Sequence, residues 1–421
     1  MVTTLAISPG ITLRCIPDHR FKHGCLSVQL LRPMGRREAA MNALLPAVLL
    51  RGSAQSPDLR AITLRLDDLY GAGVGALVRR VGDWQTTGFY CSFTEDRFAM
   101  AGDAILEPLA RFVGELLREP LLENGIFRTD FVESEKKNLL ATIESQLNDK
   151  RAFAMDKLLR NMCREDSFGI PRLGFAEDVR AITPEGLYSH YKTVLQTSPV
   201  NLFYVGSAQP ETVAELVRPL FAGLDRQTLT LQPQTPFRDG GGTDTSARLD
   251  VNQGKLCMGF VTPITIRDEG FVAMQLANLV YGGGMTNKLF MNLREKMSLC
   301  YAIGSSYHGS KGILTVSAGI DFDKETVARE AVLDQLKACQ RGDITPAELT
   351  AAKEALRSSL LAVHDSPGAL ENFYASAALS GLRLSAEEYM AQAERITAQQ
   401  VAEAAATLQL HSVFFLKGVG Q

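Results

Sequence analysis

Apolar residues along this chain recur at two different spacings, and the alternation between the two predicts a mixed α/β protein. Alternating apolar and polar positions predict strands at residues 11–16, 25–31, 88–93 and 312–320. Apolar residues that recur every three or four positions predict helices at residues 38–50, 59–70, 104–118, 130–146, 149–163 and 346–362. Hairpin-like strands of this kind favour mostly antiparallel sheets with helices packed on one face.

The same order of elements occurs twice along the chain. Residues 24–33, with the apolar helix that follows them, are matched by residues 254–263 and a second apolar helix. Residues 182–206 are matched by residues 396–418 in the same way. The paired segments lie roughly 212–230 residues apart, which indicates a duplicated domain and not a short-period repeat array.

The composition changes once, over residues 227–245, which are rich in threonine, proline and glycine and show no helical period. We interpret this stretch as a linker. A chain of 421 residues has room for two domains of ordinary size. We therefore expect two α/β (α+β-type) domains, at residues 1–226 and 246–421, each a mostly antiparallel sheet with helices on one face.

Composition excludes several classes of partner. The net charge of −3 offers no basic field for nucleic acid and no polybasic membrane patch. No stretch reaches the ~20 consecutive apolar residues that a bilayer crossing needs, and the first residues do not form a signal peptide. Seven cysteines without a Cys-x-x-Cys pair are typical of core residues in a reducing compartment. We therefore expect a cytoplasmic protein.

Two local patterns have an alternative interpretation as binding sites. The run Gly282–Gly284 lacks the spacing of a phosphate-binding loop, so a turn at a helix start explains it better. Asp18, His19, His23 and Cys25 crowd a predicted hairpin, but their spacing matches no known set of metal ligands. A polar turn is the favoured interpretation there, with a metal site as the alternative.

Arg294 and Tyr301 form the most informative pair. The helix that carries Arg294 ends near Lys296, and a strand begins at residues 299–303, so the two side chains can converge on one cleft. Arginine offers a permanent charge and fixed donors, and tyrosine offers a neutral hydroxyl. Such a pair suits a carbonyl that gains negative charge during attack. The spacing alone is common on protein surfaces, so its context decides.

That context, residues 282–301 (GGGMTNKLFMNLREKMSLCY), resembles the carboxy-terminal domain signature of the pitrilysin/insulinase family of zinc peptidases. Residues 167–174 and 182–206 resemble further segments of the family, so the likeness extends over nearly the whole chain. The resemblance implies that Arg294 and Tyr301 bind substrate. It also implies that members of this length work in pairs, with two half-shells around a peptide chamber.

The sequence departs from the family at the metal site. Active members carry an inverted His-x-x-Glu-His motif on an early helix and a glutamate on a later one. Aligning residues 49–53 with the family puts Ala43 and Ala47 at the two histidines and Pro46 at the general base. Aligning residues 135–140 puts Thr142 at the third ligand. Alanine has no lone pair to offer, and zinc requires nitrogen, sulfur or oxygen ligands. We expect no metal and no activity in this chain alone.

The resemblance therefore implies a non-catalytic subunit of a heterodimeric zinc endopeptidase. A homologous partner subunit would hold the zinc, and Arg294 and Tyr301 would contact the peptide substrate in the partner's site. Two alternatives stay open. In the first, the chain is a structural or assembly subunit. In the second, it is a stand-alone homodimer that binds peptides without cleaving them.

Overall fold

The structure is a computed structural model, and it describes residues 2–146 and 148–419. The chain forms two compact units. The first unit comprises the chain up to Glu144 together with residues 170–233 and 364–376. The second unit comprises residues 145–169 and 234–363 and the chain from Ala377 onward. Each unit therefore includes a segment that comes from the other half of the sequence.

The elements alternate between strands and helices, as the apolar pattern predicts. Those before residue 220 are β1 (Thr3–Ser8), β2 (Ile11–Pro17), β3 (His23–Pro33), α1 (Arg36–Leu49), α2 (Leu59–Asp67), β4 (Gly73–Val81), β5 (Trp84–Thr94), α3 (Leu106–Arg118), β6 (Leu122–Glu123), β7 (Ile126–Phe127), α4 (Thr129–Ser145), α5 (Lys150–Met162), α6 (Ala176–Ala181), α7 (Pro184–Thr197), β8 (Val200–Gly206) and α8 (Pro210–Val217). Those after it are β9 (Asp244–Leu249), β10 (Gly254–Val261), α9 (Phe271–Asn278), β11 (Cys300–His308), β12 (Ile313–Ile320), α10 (Glu325–Gln340), α11 (Pro346–Leu361), α12 (Pro367–Ser380), α13 (Ala386–Arg395), α14 (Ala398–Ala406) and β13 (Gln409–Gly418).

The sheet of the first unit has the strand order β1-β2-β8-β3-β5-β4. Its neighbouring strands are antiparallel except for the parallel pair β2–β8. Leu26, Val28 and Leu30 of β3 are buried in one core with apolar side chains of α1, α3, α7 and α8. Alternate residues of a strand point to opposite faces, so this core accounts for one face of the sheet.

The other face of that sheet carries the beginning of α12, through the buried carboxylate of Glu371. Its Oε1 accepts hydrogen bonds from Ser27 Oγ and Gln29 Nε2, both at 2.7 Å. Arg79 donates to both carboxylate oxygens, at 3.0 and 2.8 Å. A buried charge is tolerated only when it is paired and hydrogen-bonded, as it is here. Glu371 therefore specifies where this helix docks.

The sheet of the second unit has the strand order β11-β12-β10-β13-β9, and only the pair β13–β9 is parallel. Helix α5 packs on one face, where Ala154 and Leu158 form a buried cluster with Cys257, Phe414 and Leu416. The segment that follows α5 is fixed by a fully buried ion pair in which Lys311 Nζ lies 3.0 Å from Asp166 Oδ1.

The predicted fold class is confirmed: both units are mixed α/β, with mostly antiparallel sheets and packed helices. One detail differs, because each sheet also has a helix on its second face, α12 in the first unit and α5 in the second. The compact units accordingly differ from the predicted ranges 1–226 and 246–421, whose ends at residues 1, 420 and 421 lie outside the described residues.

The predicted linker largely coincides with residues 224–243, which form neither helix nor strand, and β9 begins at Asp244. Within the residues that the structure describes, no helix combines the length and the apolar character of a membrane span.

Candidate functional site

The positions predicted to correspond to a zinc site lie on α1 and α4 of the first unit. Ala43 and Pro46 are buried and Ala47 is half-buried, and none of the three offers a ligand atom. Thr142 Oγ donates to the carbonyl of Asn138 at 2.9 Å, within its own helix. Across residues 2–146 and 148–419, no group of three histidine, cysteine, aspartate or glutamate side chains could hold a metal ion. The residues at these positions do not fit zinc.

Pro46 changes the hydrogen bonding of α1 at this point. In a regular helix the amide of residue 46 would donate to the carbonyl of Asn42, but proline has no N–H. Thr87 on β5 replaces that donor, since its Oγ donates to the Asn42 carbonyl oxygen at 2.7 Å. All three residues are buried. A side chain of the sheet thus compensates for a proline in the helix.

The side chain of Asn42 joins the same helix to a buried histidine. Asn42 Nδ2 donates to Gln85 Oε1 at 2.9 Å, so its Oδ1 is the acceptor for His190 Nε2 at 2.7 Å. Burial lowers the pKa of His190 to about 4, against an upward effect of Glu38. His190 is therefore a neutral structural donor at neutral pH and has no role as a proton carrier there.

The alternative metal site at the first hairpin is not assembled. Asp18 pairs with Arg20, whose Nη2 lies 2.6 Å from its Oδ2. His19 and His23 are exposed, whereas Cys25 is buried and donates from Sγ to the Pro367 carbonyl at 3.5 Å. The polar turn is the interpretation that agrees with these contacts.

Arg294 lies in a short π-helical segment of the second unit, Phe290–Lys296. Its guanidinium stacks over the ring of Phe290, 4.7 Å from the ring centroid, and Nε lies 3.7 Å from Glu295 Oε1. Both charged side chains are more than two-fifths exposed, so this ion pair contributes little to stability. The stacking holds the guanidinium near the end of the segment while leaving its outer donors available.

The chain then turns sharply and brings Tyr301 back beside that segment. Ser298 adopts a left-handed conformation with φ 50°, and the amide of Leu299 donates back to the carbonyl of Leu293 at 2.8 Å. Strand β11 begins with a β-bulge, because Cys300 pairs with Ile320 while Ala302 pairs with the adjacent residue, Gly319. Tyr301 is the extra residue of the bulge and is 81% exposed.

Arg294 and Tyr301 line one cavity of about 410 Å³ in the second unit. Gln253, Glu295, Ser298, Cys300, Gly319 and Asp321 are among the other residues that line it. The structure thus brings together the two residues that the sequence singles out, and their role in binding substrate stays a prediction. Burial raises the pKa of Cys300 to about 11 against the opposing effect of Arg294, so this thiol is not an activated nucleophile.

Gln253 and Asp321 are cavity residues that the sequence did not indicate. Gln253 directly precedes β10 and Asp321 directly follows β12, and neither is part of a recognisable motif. Only the pairing of β10 with β12, which sets Gly254 opposite Ile320, brings these two chain positions together. No signal in a single sequence reports that register.

Comparisons with known proteins agree with this architecture. Residues 181–356 match a family model described as the Peptidase M16 inactive domain. The probable inactive metalloprotease YmfF of Bacillus subtilis (strain 168) is 29% identical over 409 residues, which cover 97% of this chain and 96% of the relative. The crystal structure of a conserved protein from Enterococcus faecalis V583 is 26% identical with a TM-score of 0.92, over 100% of this chain and 99% of that one.

A peptidase M16 inactive domain from Pseudomonas fluorescens shares the fold, with 19% identity and a TM-score of 0.81 over 99% of this chain and 98% of that one. The family predicted from residues 282–301 is thereby confirmed. These findings support a non-catalytic member of the peptidase M16 family.

Proposed function

We propose that this chain is the non-catalytic subunit of a heterodimeric zinc endopeptidase, to which it supplies peptide-binding side chains. The observation that carries the proposal is the single cavity lined by both Arg294 and Tyr301. The chain offers no ligand set for zinc at Ala43, Ala47 and Thr142, so the metal, its bound water and the general base would come from a homologous partner subunit.

The two side chains are suited to hold a peptide carbonyl. The Arg294 guanidinium is held by Phe290 and keeps donors free, and the exposed hydroxyl of Tyr301 can donate as well. Donors that are already in place when a carbonyl oxygen becomes negative stabilise the transition state most. These residues therefore bind and orient the substrate, while the bond is broken at the partner's metal.

Strand β11 offers a further contact for an extended peptide. It is the edge strand of its sheet and pairs only with β12 among the described residues. An edge strand presents unpaired backbone groups, to which a peptide can add as another strand. A peptide bound there would run past Tyr301, the second residue of the same strand. Main-chain hydrogen bonds of this kind would tolerate many peptide sequences.

The central experiment uses the heterodimer formed with a relative from the same genome that carries His-x-x-Glu-His. We expect Arg294→Ala and Tyr301→Phe each to lower kcat/KM by about 10²–10³, the usual effect of removing one oxyanion donor. Zinc content and assembly should not change. Arg341→Ala is the matched control, because Arg341 is an exposed arginine that forms a local ion pair with Asp343.

The kinetic parameters separate the possible roles. A rise in KM with unchanged kcat would mean that the pair only positions substrate. Full activity of both variants would refute the proposed role of these residues. A chain that stays apart from every zinc-bearing relative would refute the heterodimer and favour the structural-subunit or homodimer alternatives. Native co-purification followed by mass spectrometry decides this point.

We also propose a cytoplasmic location. All seven cysteines are free thiols, and six of them are buried. Fractionation of the native host checks this location directly.

A further inference from the structure

Beside the cavity, the face of the sheet that carries α5 holds a second group of polar side chains. Lys255 on β10 pairs with Gly319 on β12, and Ser317, two residues away, pairs with Gly304 on β11. Residues directly opposite each other share a face, so these positions form one continuous surface. Gly319 on β12 and Gly304 on β11 have no side chains, so neighbouring side chains can approach the backbone of these two strands.

Gln253 uses one of these glycines. A Cβ at Gly319 would lie 2.7 Å from Gln253 Oε1, so only glycine lets the side-chain amide lie this close to the strand. Lys255 Nζ donates to Gln253 Oε1 at 2.8 Å. A lysine ammonium has no acceptor, so this contact identifies which amide atom is the oxygen. In the part of the chain that the structure describes, Gln253 Nε2 donates no hydrogen bond.

Arg151, in the first turn of α5, lies over the neighbouring part of the same face. Its Nε donates to Ser317 Oγ at 3.2 Å, and Nη2 lies 4.0 Å from the place of a Cβ at Gly304. No carboxylate within the described ranges lies within ion-pair distance of Arg151 or Lys255. The carboxylate that acts on Lys255 is that of Asp149, whose Oδ1 already accepts hydrogen bonds from the amides of Arg151 and Ala152 as the cap of α5.

The two cations destabilise each other. Burial is the main cause of the lowered pKa of Lys255, Arg151 is the second, and the opposing effect of Asp149 is smaller than either. Lys255, Arg151 and the Gln253 amide thus place two positive charges and a hydrogen-bond donor on one face without a carboxylate among the described residues to pair with them. An anion bound there would be stabilised by both charges. A carboxylate is best suited to this place, because it accepts several hydrogen bonds and offers none.

We propose that Gln253, Lys255 and Arg151 form a carboxylate-binding site for the peptide substrate. Gln253 and Gly319 also line the cavity that holds Arg294 and Tyr301, so one peptide can reach both places. That the ligand is a peptide rests on the proposed function. That it carries a carboxylate rests only on the cluster of Gln253, Lys255 and Arg151. The carboxylate is that of an acidic side chain or of the peptide's carboxyl terminus.

The test measures peptide binding to the full-length chain by fluorescence anisotropy. One fluorescein-labelled decapeptide rich in alanine and leucine is made in four forms: with a free carboxyl terminus, amidated, amidated with one internal glutamate, and amidated with glutamine at that position. We expect a carboxylate-bearing form to bind at least about tenfold more tightly than its neutral counterpart, as a charge-assisted hydrogen bond predicts. Whether the free terminus or the glutamate gives the gain identifies the source.

Lys255→Met and Arg151→Gln should each remove most of this preference and leave the affinity for the neutral forms unchanged. Lys337→Met is the matched control, because Lys337 is an exposed lysine of α10 that pairs with Asp334. Circular dichroism shows whether each variant is folded, and Lys255→Gln is the substitute if Lys255→Met is not.

Arg294→Ala and Tyr301→Phe provide the second readout, since they should weaken all four forms alike. If they do and no form is preferred, the carboxylate site is refuted and the proposed function stands. A preference that survives both Lys255→Met and Arg151→Gln refutes the site as well. If no form binds, or if Arg294→Ala and Tyr301→Phe have no effect, the proposed function itself fails.

Discussion

The proline in α1 makes Thr87 more important than its position suggests. Because Pro46 cannot donate, the buried Asn42 carbonyl depends on the Thr87 hydroxyl at 2.7 Å. Thr87→Val keeps the shape of the side chain and removes that donor. Leaving a buried acceptor unsatisfied costs about 1–3 kcal/mol. We expect Thr87→Val to lower the free energy of unfolding of the first unit by this amount.

The same change should cost much less beside Pro46→Ala. Alanine at position 46 restores the helical N–H to the Asn42 carbonyl, so Thr87→Val then removes a donor that is no longer needed. The double-mutant cycle should show a coupling energy of about 1–2 kcal/mol between the two residues, within the range of contacting sites. Additivity of the two changes to within about 0.5 kcal/mol would refute the compensation.

Urea unfolding followed by tryptophan fluorescence is the appropriate assay. The chain has a single tryptophan, Trp84, which is buried on β5 and therefore reports the first unit. Unchanged m-values are required for the comparison of free energies. Thr86→Val is a matched control on the same strand, because Thr86 Oγ is buried without a hydrogen-bond partner in the described structure. It should be neutral or stabilising in both backgrounds.

Three further predictions concern the first unit. The free energy of unfolding should fall by about 2 kcal/mol from pH 7 to pH 5, because an unfolded histidine takes up a proton near pH 6.5 whereas folded His190 stays neutral down to about pH 4. Urea titrations at several pH values measure this profile, and His190→Gln should flatten it. Glu371→Ala should cost about 3–5 kcal/mol by leaving buried donors and a cation without their carboxylate, and the isosteric Glu371→Gln should cost less, as thermal unfolding would show. The triple variant Ala43→His, Pro46→Glu and Ala47→His should still bind no stoichiometric zinc in elemental analysis, because the third ligand is missing.

The local elements of the fold follow from the sequence because their causes are local. The helix predicted at residues 130–146 is found at Thr129–Ser145, and the one predicted at 346–362 is found at Pro346–Leu361. The second begins with a capping box, in which Thr345 Oγ accepts from the Glu348 amide while the Glu348 side chain accepts from Thr345. Period and cap are both readable within a few residues of the boundary.

The partners of those helices could not be predicted in this way. An apolar stripe on α5 or α12 shows that the helix packs, but not on which of two similar sheets. Glu371 is an ordinary acidic residue in the sequence, and its meaning depends on Arg79, far away in the chain.

Some residues of the candidate site could likewise be predicted from local sequence, and others could not. Arg294 and Tyr301 could be predicted because a family signature surrounds them. Gln253 and Lys255 lie at the start of β10 and Arg151 lies in α5, and only the strand register and the capped start of α5 bring these two places onto one face.

The exchange of α5 and the beginning of α12 between the units has a consequence for synthesis on the ribosome. Domains generally fold in order from the amino terminus as they emerge, at roughly 5–20 residues per second. Here the first unit is otherwise complete at Pro233, but the helix that carries Glu371 is translated only after most of the second unit, a delay on the order of ten seconds at that rate. Throughout that interval one face of the nascent sheet lacks its cover, and α5 likewise waits for β10 and β13. The two units must therefore finish folding together, after the ribosome has made nearly all of the chain.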